Sequence, residues 1–175
     1  MAMLREIPLL DFGPRIFRLW SEEWLLLKAG ELEGGQFNAM TVAWGGFGIM
    51  WSLPVAMVVV RPQRHTCAFM ERHRDFTLCG FPPDWRPALD YCGAHSGRDV
   101  DKMRETELTP LASRHVAAPG YAQASLWIEC RTISVGELDP DGFLDARIAP
   151  NYPQHDYHRT FLGEILAVRA AEEQA

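Results

Sequence analysis

The chain has 175 residues, of which 47% are hydrophobic and 23% are charged, as in an ordinary globular protein rather than a disordered segment. This length predicts one domain that spans residues 1–175. The formal net charge of -6 argues against a general nucleic-acid binder, because phosphate backbones favour basic surfaces. It is compatible with a local basic pocket for one small anion.

Neither a secretory signal nor a membrane span is evident in the sequence. Residues 1–12 contain no uninterrupted apolar core and no small-residue cleavage site. The longest apolar run, 49–60, is broken by Ser52 and Pro54 and is shorter than a membrane span. We therefore expect a cytoplasmic protein with no membrane partner.

The cysteines show no Cys-x-x-Cys spacing. In a chain without an export signal they are expected to be buried thiols rather than bridges, at Cys67, Cys79, Cys92 and Cys130. A metal site that combines some of them with His65, His73 and His95 can be imagined. These spacings match no common zinc pattern, so we expect no metal site.

The predicted elements follow one another with short breaks. The first 20 residues carry Pro8, Gly13 and Pro14 and are expected to wrap the surface before the sheet begins. Later apolar segments predict strands at 24–28, 38–44, 55–61, 76–81, 124–135 and 157–168. Short helices are predicted at 67–73, 85–91 and 96–105, the last opened by a Ser-x-x-Asp box at Ser96. Residues 108–121 predict an irregular connection, and 169–175 predict a frayed tail.

Two predicted strands are the most informative. In 124–135 the apolar residues Leu126, Ile128 and Cys130 recur with the two-residue period of a sheet. The run 55–60 is apolar throughout and rich in β-branched valine, which predicts a strand buried on both faces. Pro54 is expected to open that strand, because it could not lie inside it. The chain is expected to enter the strand through a reversal at Gly45, Gly46 and Gly48.

The order of the elements favours a mainly β fold. There is no regular alternation of strand and helix and no Gly-x-Gly-x-x-Gly fingerprint of a dinucleotide fold. Strands with short helices inserted between them suggest a closed antiparallel barrel, because closure removes exposed strand edges. Periodicity alone does not separate a barrel from a sandwich.

A basic cluster follows the third predicted strand. Arg61 and Arg64 flank Pro62, and Thr66 is placed to cap the predicted helix 67–73. Two guanidiniums, a hydroxyl and free N–H groups at a helix start suit a phosphate monoester. The alternative is a pair of solvated arginines at a strand end.

A set of short motifs appears in a fixed order across residues 24–168. The motifs are Asn38-x-Met40-Thr41-x-x-Trp44, Trp51-x-x-Pro54-Val55, Arg61-Pro62-x-Arg64-x-Thr66, Asp75-Phe76-Thr77, Ser96-Gly97-Arg98-Asp99 with Asp101-Lys102, and Gly163-Glu164-Ile165. This ordered set resembles the flavin reductase-like family, which has an FMN-binding split barrel, and in particular its flavoredoxin branch. The resemblance implies a mainly β, antiparallel split barrel with short inserted helices.

The resemblance also implies a set of cofactor-binding residues. Asn38, Met40 and Thr41 would contact the polar edge of the isoalloxazine ring, and Trp44 could shield a ring face. Arg61, Arg64 and Thr66 are the predicted phosphate ligands. Further contacts are implied from a loop and from a strand, by Ser96, Gly97, Arg98, Lys102, Phe76, Thr77 and Cys79. Many relatives carry Asn at the position of Cys79 and use it on the ribityl chain, and here only the backbone could serve.

Several of these residues have a structural alternative. Asn38 and Thr41 could bond to nearby backbone, Trp44 could pack in the core, and Lys102 could be a solvated helix charge. His158, next to His155 and Tyr157, is the predicted substrate-side catalytic residue, because histidine titrates near neutrality. A structural role at the start of the last strand is its alternative.

The resemblance implies an oxidoreductase that binds FMN, accepts electrons from NADH or NADPH, and passes them to a flavin, an iron centre or a protein. The alternative is a flavoredoxin-like FMN electron carrier with little NAD(P)H turnover of its own. A third hypothesis is a cofactor-free binding module that kept only the barrel. Split-barrel relatives are usually two-fold dimers with the cofactor at the interface, so we expect a homodimer.

Overall fold

The computed structural model describes residues 4–171, and its largest element is one antiparallel sheet of eight strands. The strands are β1 (Arg5–Ile7), β2 (Leu25–Glu31), β3 (Gln36–Val42), β4 (Gly45–Met50), β5 (Leu53–Val60), β6 (Asp75–Gly80), β7 (Pro110–Leu111), β8 (Gly120–Tyr121), β9 (Leu126–Glu137) and β10 (Arg159–Ala170). The helices are α1 (Ile16–Arg18), α2 (His65–Arg72), α3 (Arg86–Ala94) and α4 (Lys102–Thr106). Short turns of other helix types lie at Leu9–Asp11, Leu19–Glu23, Glu33–Gly35, Pro83–Trp85, Pro140–Gly142 and Ala149–Asn151. The predicted class, mainly β with short inserted helices, is confirmed.

The main sheet is open between two of its strands. Its order is β3-β2-β6-β9-β10-β5-β4, with β1 paired to the far end of β10 and β7-β8 as a separate pair. All these pairs are antiparallel. Within the described residues β3 and β4 are not hydrogen-bonded to each other, so the barrel is not closed as the sequence suggested. The candidate site lies at this opening.

The sheet curls around one apolar core and carries a second core on its outer face. Leu27 of β2, Val58 of β5 and Phe161 of β10 are fully buried inside the sheet. Leu26 and Trp127 point the other way and pack beneath α3. Because successive strand residues face opposite sides, the alternation predicted around 126–130 is the pattern that fills both cores. Each fully buried large apolar side chain contributes about 1.5–3 kcal/mol.

Two predicted helix starts are wrong. Thr66 lies inside α2, which Arg64 precedes, and its Oγ1 accepts a hydrogen bond from Asn38 Nδ2 at 2.7 Å. The predicted helix at Ser96 is instead a turn, in which Ser96 Oγ accepts from the N–H of Arg98. Helix α4 begins at Lys102, where the Asp101 carboxylate accepts from two N–H groups. A carboxylate favours the positive helix start, and the capping residue is therefore Asp101, five residues after the predicted Ser96.

The predicted glycine-rich reversal is also wrong. Residues Gly45–Met50 form β4, and the chain reverses at Trp51 and Ser52, whose φ angles are 50° and 61°. Gly45 serves packing instead, because a Cβ there would lie 2.5 Å from the ring of Trp20. Pro54 lies near the start of β5, beyond the last residue of that strand that pairs with β10.

The chain ends also differ from expectation. The predicted surface run at residues 1–20 contains β1, which pairs with β10, and a turn that buries Leu19 and Trp20. Residues 108–121, predicted to be irregular, contribute the short pair β7-β8. The predicted frayed tail begins too early, because β10 extends to Ala170. Residues 1–3 and 172–175, which also belong to these two predictions, lie outside the described residues.

The cysteine prediction is confirmed, since Cys67, Cys79, Cys92 and Cys130 are free and buried. No group of three or more His, Cys, Asp or Glu residues within 4–171 is arranged to hold a metal ion. Among the helices in this range, none has the length and apolar character needed to cross a membrane.

Candidate functional site

A cavity of about 640 Å³ lies where β3, the end of β5 and the start of α2 meet. We call it the basic cavity. Its wall is completed by the turn after α3 and by the long segment between β9 and β10. The lining residues are Asn38, Met40, Arg61, Gln63, Arg64, His65, Thr66, Cys92, His95, Ser96, Gly97, Arg98, Lys102, Pro150, Asn151, Pro153, Gln154 and Asp156. Nine of the predicted cofactor-binding residues are therefore brought together.

Three cations of the basic cavity have no carboxylate partner among the described residues. Arg64 Nη1 donates to the carbonyl of Gly93 at 3.1 Å, and Arg98 Nη1 donates to the carbonyl of Gln63 at 3.0 Å. Lys102 Nζ donates to the carbonyls of Ala39 and Cys92 at 2.7 and 2.8 Å. Burial lowers the pKa of Lys102. Carbonyls orient these groups without neutralising them, so the cavity keeps an excess of positive charge.

Arg61 has a different environment from the other cations. It forms an ion pair with Asp156, and its Nη2 donates to the carbonyl of Asn151 at 2.7 Å. The Asp156 pKa is lowered, chiefly by the hydrogen bond from Arg61 and then by that from Gln63. The second oxygen of Asp156, Oδ1, is buried without a partner in the described structure. Arg61 therefore lines the cavity with its charge already balanced.

The turn after α3 approaches β3 very closely. A Cβ on Gly97 would lie 2.0 Å from Asn38 Oδ1, so only glycine fits while Asn38 keeps its position. Asn38 is held there by its bond to Thr66 Oγ1, at 2.7 Å. This contact brings the Ser96–Arg98 turn to the wall of the basic cavity.

A second, smaller cavity of about 200 Å³ opens beside the first, and we call it the shallow cavity. Its lining residues are Met40, Thr41, Val42, Ala43, Trp44, Val59, Arg61, Arg64 and His158. Trp44 is 49% exposed, and its ring centre lies 5.2 Å from that of His158. Thr41 Oγ1 donates to the carbonyl of Leu89, which is 48 residues away in the chain, so this hydroxyl has a backbone partner but not the local one of its structural alternative.

His158 is buried between Trp44 and Tyr152. Its Nδ1 lies 2.8 Å from the Tyr152 hydroxyl. Burial, followed by the charge of Arg61, lowers the pKa of His158 to about 4. The imidazole is therefore neutral at physiological pH. If the tyrosine hydroxyl donates to Nδ1, the ring proton is on Nε2, which then is a donor.

A third cavity of about 540 Å³ adjoins the basic cavity and shares Asn38, Gly97, Arg98 and Lys102 with it. Phe37, Ala39, Met103 and Pro110 add apolar surface to its wall. The three cavities thus follow β3, the open edge of the sheet. The basic cavity, in the middle, presents the cationic side chains, and the cavities on either side of it present apolar surface.

Three predicted residues are not brought to these cavities. Phe76 and Cys79 are fully buried in the two cores, and Thr77 Oγ1 donates to the carbonyl of Pro119 at 2.7 Å. Burial raises the pKa of the Cys79 thiol to about 12. All three belong to β6, which is separated from the open edge by β2.

Sequence patterns missed about half of the basic cavity. Gln63 and His65 lie between residues that were predicted, so the motif itself could have included them. Cys92 and His95 flank the end of α3. No pattern pointed to the segment between β9 and β10, which supplies Pro150, Asn151, Pro153, Gln154 and Asp156. These residues reach the site only through contacts that are distant in sequence.

The residues of the site fit a phosphorylated planar ligand. Unpaired cations in the basic cavity suit a small anion, and the half-exposed Trp44 beside apolar residues suits a flat ring. These features suit the binding and positioning of a ligand.

The chain is similar to one known protein family. A family model described as "Flavin reductase like domain" matches residues 28–175. The comparison with curated proteins gave no match.

Solved structures share the fold over most of the chain. An FMN-binding domain of a flavin reductases-like enzyme from Shewanella baltica OS155 is 20% identical, with a TM-score of 0.71, over 97% of this chain and 78% of that one. Flavoredoxin of Desulfovibrio vulgaris (Miyazaki F) is 22% identical, with a TM-score of 0.67, over 92% and 75%. An NADH:FAD oxidoreductase from Streptomyces globisporus C-1027 is 17% identical, with a TM-score of 0.63, over 83% and 74%. The open antiparallel sheet is therefore a split barrel.

Proposed function

Because the chain belongs to the flavin reductase like domain family, we propose that it binds FMN and transfers electrons through it. One observation carries the proposal. Arg64, Arg98 and Lys102, which have no carboxylate partner within residues 4–171, converge on a cavity that adjoins an apolar recess with Trp44. A phosphate monoester joined to a flat ring would use both parts.

The phosphate would be held by Arg64, Arg98 and Lys102, together with N–H groups of the Ser96–Gly97 turn. Asn38 and Thr66, which bond to each other, would lie beside it. The ring would occupy the shallow cavity between Met40, Thr41 and Trp44. The alternative roles that the sequence left open for Trp44 and Lys102 are less suitable, because Trp44 is half-exposed and Lys102 is buried. We leave Phe76, Thr77 and Cys79 out of the proposed site.

His158 is the proposed substrate-side residue. It lines the shallow cavity and is neutral near pH 7, because its pKa is about 4. A neutral imidazole can donate a hydrogen bond to an electron-rich oxygen without adding charge. Its bond to Tyr152 fixes the ring, so the residue would orient a bound molecule rather than take up a proton.

When bound, FMN supplies hydride acceptance from NADH or NADPH and electron transfer to an acceptor. The chain provides the placement and the positive field around the phosphate. The acceptor, a flavin, an iron centre or a protein, would approach at Trp44. A flavoredoxin-like carrier with little NAD(P)H turnover is the second candidate, favoured by the exposure of Trp44, which leaves the recess open to a protein partner.

Anaerobic mixing of the FMN-loaded protein with NADH, and separately with NADPH, tests the reaction. Rapid bleaching of the flavin absorption band supports the reductase. A band that stays unchanged, but bleaches with a chemical reductant, supports the carrier. A purified protein that takes up no FMN would contradict both and favour the cofactor-free binding module.

We also propose a homodimer. The hairpin of β4 and β5 presents Ile49, Met50, Trp51 and Met57, with Ile49 and Trp51 both 64% exposed. β4 is an edge strand beside the shallow cavity, and contiguous exposed apolar surface of this kind marks a binding surface. A two-fold partner on this hairpin would cover the recess at Trp44. A cytoplasmic location stays a prediction.

A further inference from the structure

The segment between β9 and β10, residues 138–158, forms one wall of the basic cavity. It contains no strand, and its regular structure is limited to the single turns Pro140–Gly142 and Ala149–Asn151. Its ends are joined by a hydrogen bond from the N–H of Leu138 to the carbonyl of His158, at 3.0 Å. A segment of this length needs contacts of its own to stay in one position.

Arg61 provides several of those contacts. Its guanidinium pairs with the Asp156 carboxylate, donates to the Asn151 carbonyl at 2.7 Å, and lies 5.2 Å from the ring centre of Tyr152. Gln63 Nε2 donates to the same Asp156 oxygen. The side chains of Arg61 and Asp156 are 24% and 13% exposed, so the pair is shielded from solvent more than a surface ion pair.

The contacts continue from this anchor to the shallow cavity. The Tyr152 hydroxyl lies 2.8 Å from His158 Nδ1, and the His158 ring lies 5.2 Å from Trp44. Tyr152 and His158 are 5% and 8% exposed. The position of the segment therefore sets the position of a side chain that we place in the site.

A phosphate ligand would find Arg61 already engaged. Its Nη1 and Nη2 already donate to Asp156 and to the Asn151 carbonyl, so a phosphate at this guanidinium would compete with a shielded carboxylate, at a cost in free energy. Arg64 and Arg98 carry no such cost, because they donate only to backbone carbonyls. Two arginines of one short motif thus have different environments.

We propose that Arg61 is a positioning residue, which holds the 138–158 segment against the site through Asp156 and Asn151, and that it is not a ligand of the phosphate. This proposal differs from the phosphate role that the sequence motif suggested for Arg61. The flavin part of the test rests on the proposed function. The anchoring itself does not.

Flavin titrations separate the two roles. FMN and riboflavin share the ring and ribityl chain, and only FMN carries a phosphate. Arg61→Ala is expected to weaken both by about the same factor, roughly tenfold for the loss of charge-assisted bonds. Asp156→Ala is expected to weaken both flavins by a similar factor. The double variant is expected to bind them no more weakly than either single variant, because each change breaks the same Arg61–Asp156 contact. Loss of FMN affinity alone in Arg61→Ala, or tighter FMN binding in Asp156→Ala, would overturn the proposal.

Limited proteolysis tests the anchor without any flavin. Arg147 lies in the segment with a side chain that is 90% exposed, so trypsin cleavage after it depends on local opening of the backbone. Arg61→Ala and Asp156→Ala are each expected to raise this cleavage rate by roughly fivefold or more, as loss of a local contact allows. Arg114→Ala, which removes the exposed pair with Glu6, is the matched control and should leave the rate unchanged. An unchanged rate in both test variants would contradict the anchor, even if neither flavin binds the wild-type protein.

Discussion

Lys28 shows at the residue scale how a charge can be placed in the interior of this sheet. Its side chain is fully buried, and Nζ lies 4.0 Å from the ring centres of both Phe37 and Tyr121. Its hydrogen-bond partner in the described structure is the sulfur of Met103, at 3.9 Å. Burial lowers the pKa of Lys28 to about 7, although the thiols of Cys79 and Cys92 act in the opposite direction. The two ring faces offset part of the cost of desolvation.

This environment predicts a pH dependence of stability. The folded state loses the Lys28 proton near pH 7, whereas the unfolded chain keeps it up to about pH 10.5. Between these values the unfolded state binds more protons, so the free energy of unfolding should rise with pH. Lys28→Met should flatten this rise and stabilise the protein at pH 7 by about 1–3 kcal/mol. Urea unfolding at pH 7 and pH 9.5 measures both effects, and an equal rise in the two proteins would contradict the assignment.

At the scale of elements, the turn between α3 and α4 connects the cations to the edge strand. Gly97→Ala should displace the Asn38 side chain and break its bond to Thr66, because the new Cβ would lie 2.0 Å from Asn38 Oδ1. We expect a loss of about 1–3 kcal/mol in stability, as for other forced contacts in packed sites, with weaker FMN binding. Thermal unfolding and an FMN titration check this. Gly136→Ala is the control, since a Cβ there meets nothing within 4 Å, and equal effects of the two variants would refute the argument.

The sequence predicted correctly those strands whose residues follow a local pattern of apolar side chains. The alternation of residues around Ile128 identified β9, and the apolar run 55–60 identified β5. Both were identified because burial of a strand on one or two faces produces a recognisable pattern of apolar residues in the sequence. β4 was missed, since its glycines are typical of turns and its pairing with β5 becomes evident only in the hairpin. The start of α4 was misplaced, because Ser96 and Asp101 both resemble helix caps.

The same distinction holds for the site. The Arg61–Thr66 motif could be identified from the sequence, since its members are close together in the chain. Asp156 could not, because it meets Arg61 across 95 residues and is held by no repeating pattern. Lys102 was found through its motif, but its bonds to Ala39 and Cys92 depend on the packing of α3 against β3.

At the scale of the whole molecule, the open side of the barrel concentrates both the cavities and the exposed apolar surface. If the proposed dimer forms through the β4–β5 hairpin, Ile49→Lys should shift it to a monomer, because an ammonium at a buried interface centre loses its hydration. Leu144→Lys is the control, as Leu144 is 98% exposed in the 138–158 segment. Sedimentation velocity measures the mass of each variant. If the wild-type protein is a monomer, or if Ile49→Lys remains a dimer, the hairpin is not a dimer interface.

The central claim is that Arg64 and its neighbours hold the phosphate of a flavin nucleotide at the opening of the split barrel. A paired titration of wild-type protein and Arg64→Ala with FMN and with riboflavin tests it most directly. We expect Arg64→Ala to weaken FMN binding by about 1.5–3 kcal/mol, the contribution of a hydrogen bond to a charged group, and to leave riboflavin affinity nearly unchanged. An equal loss for both ligands would contradict the claim.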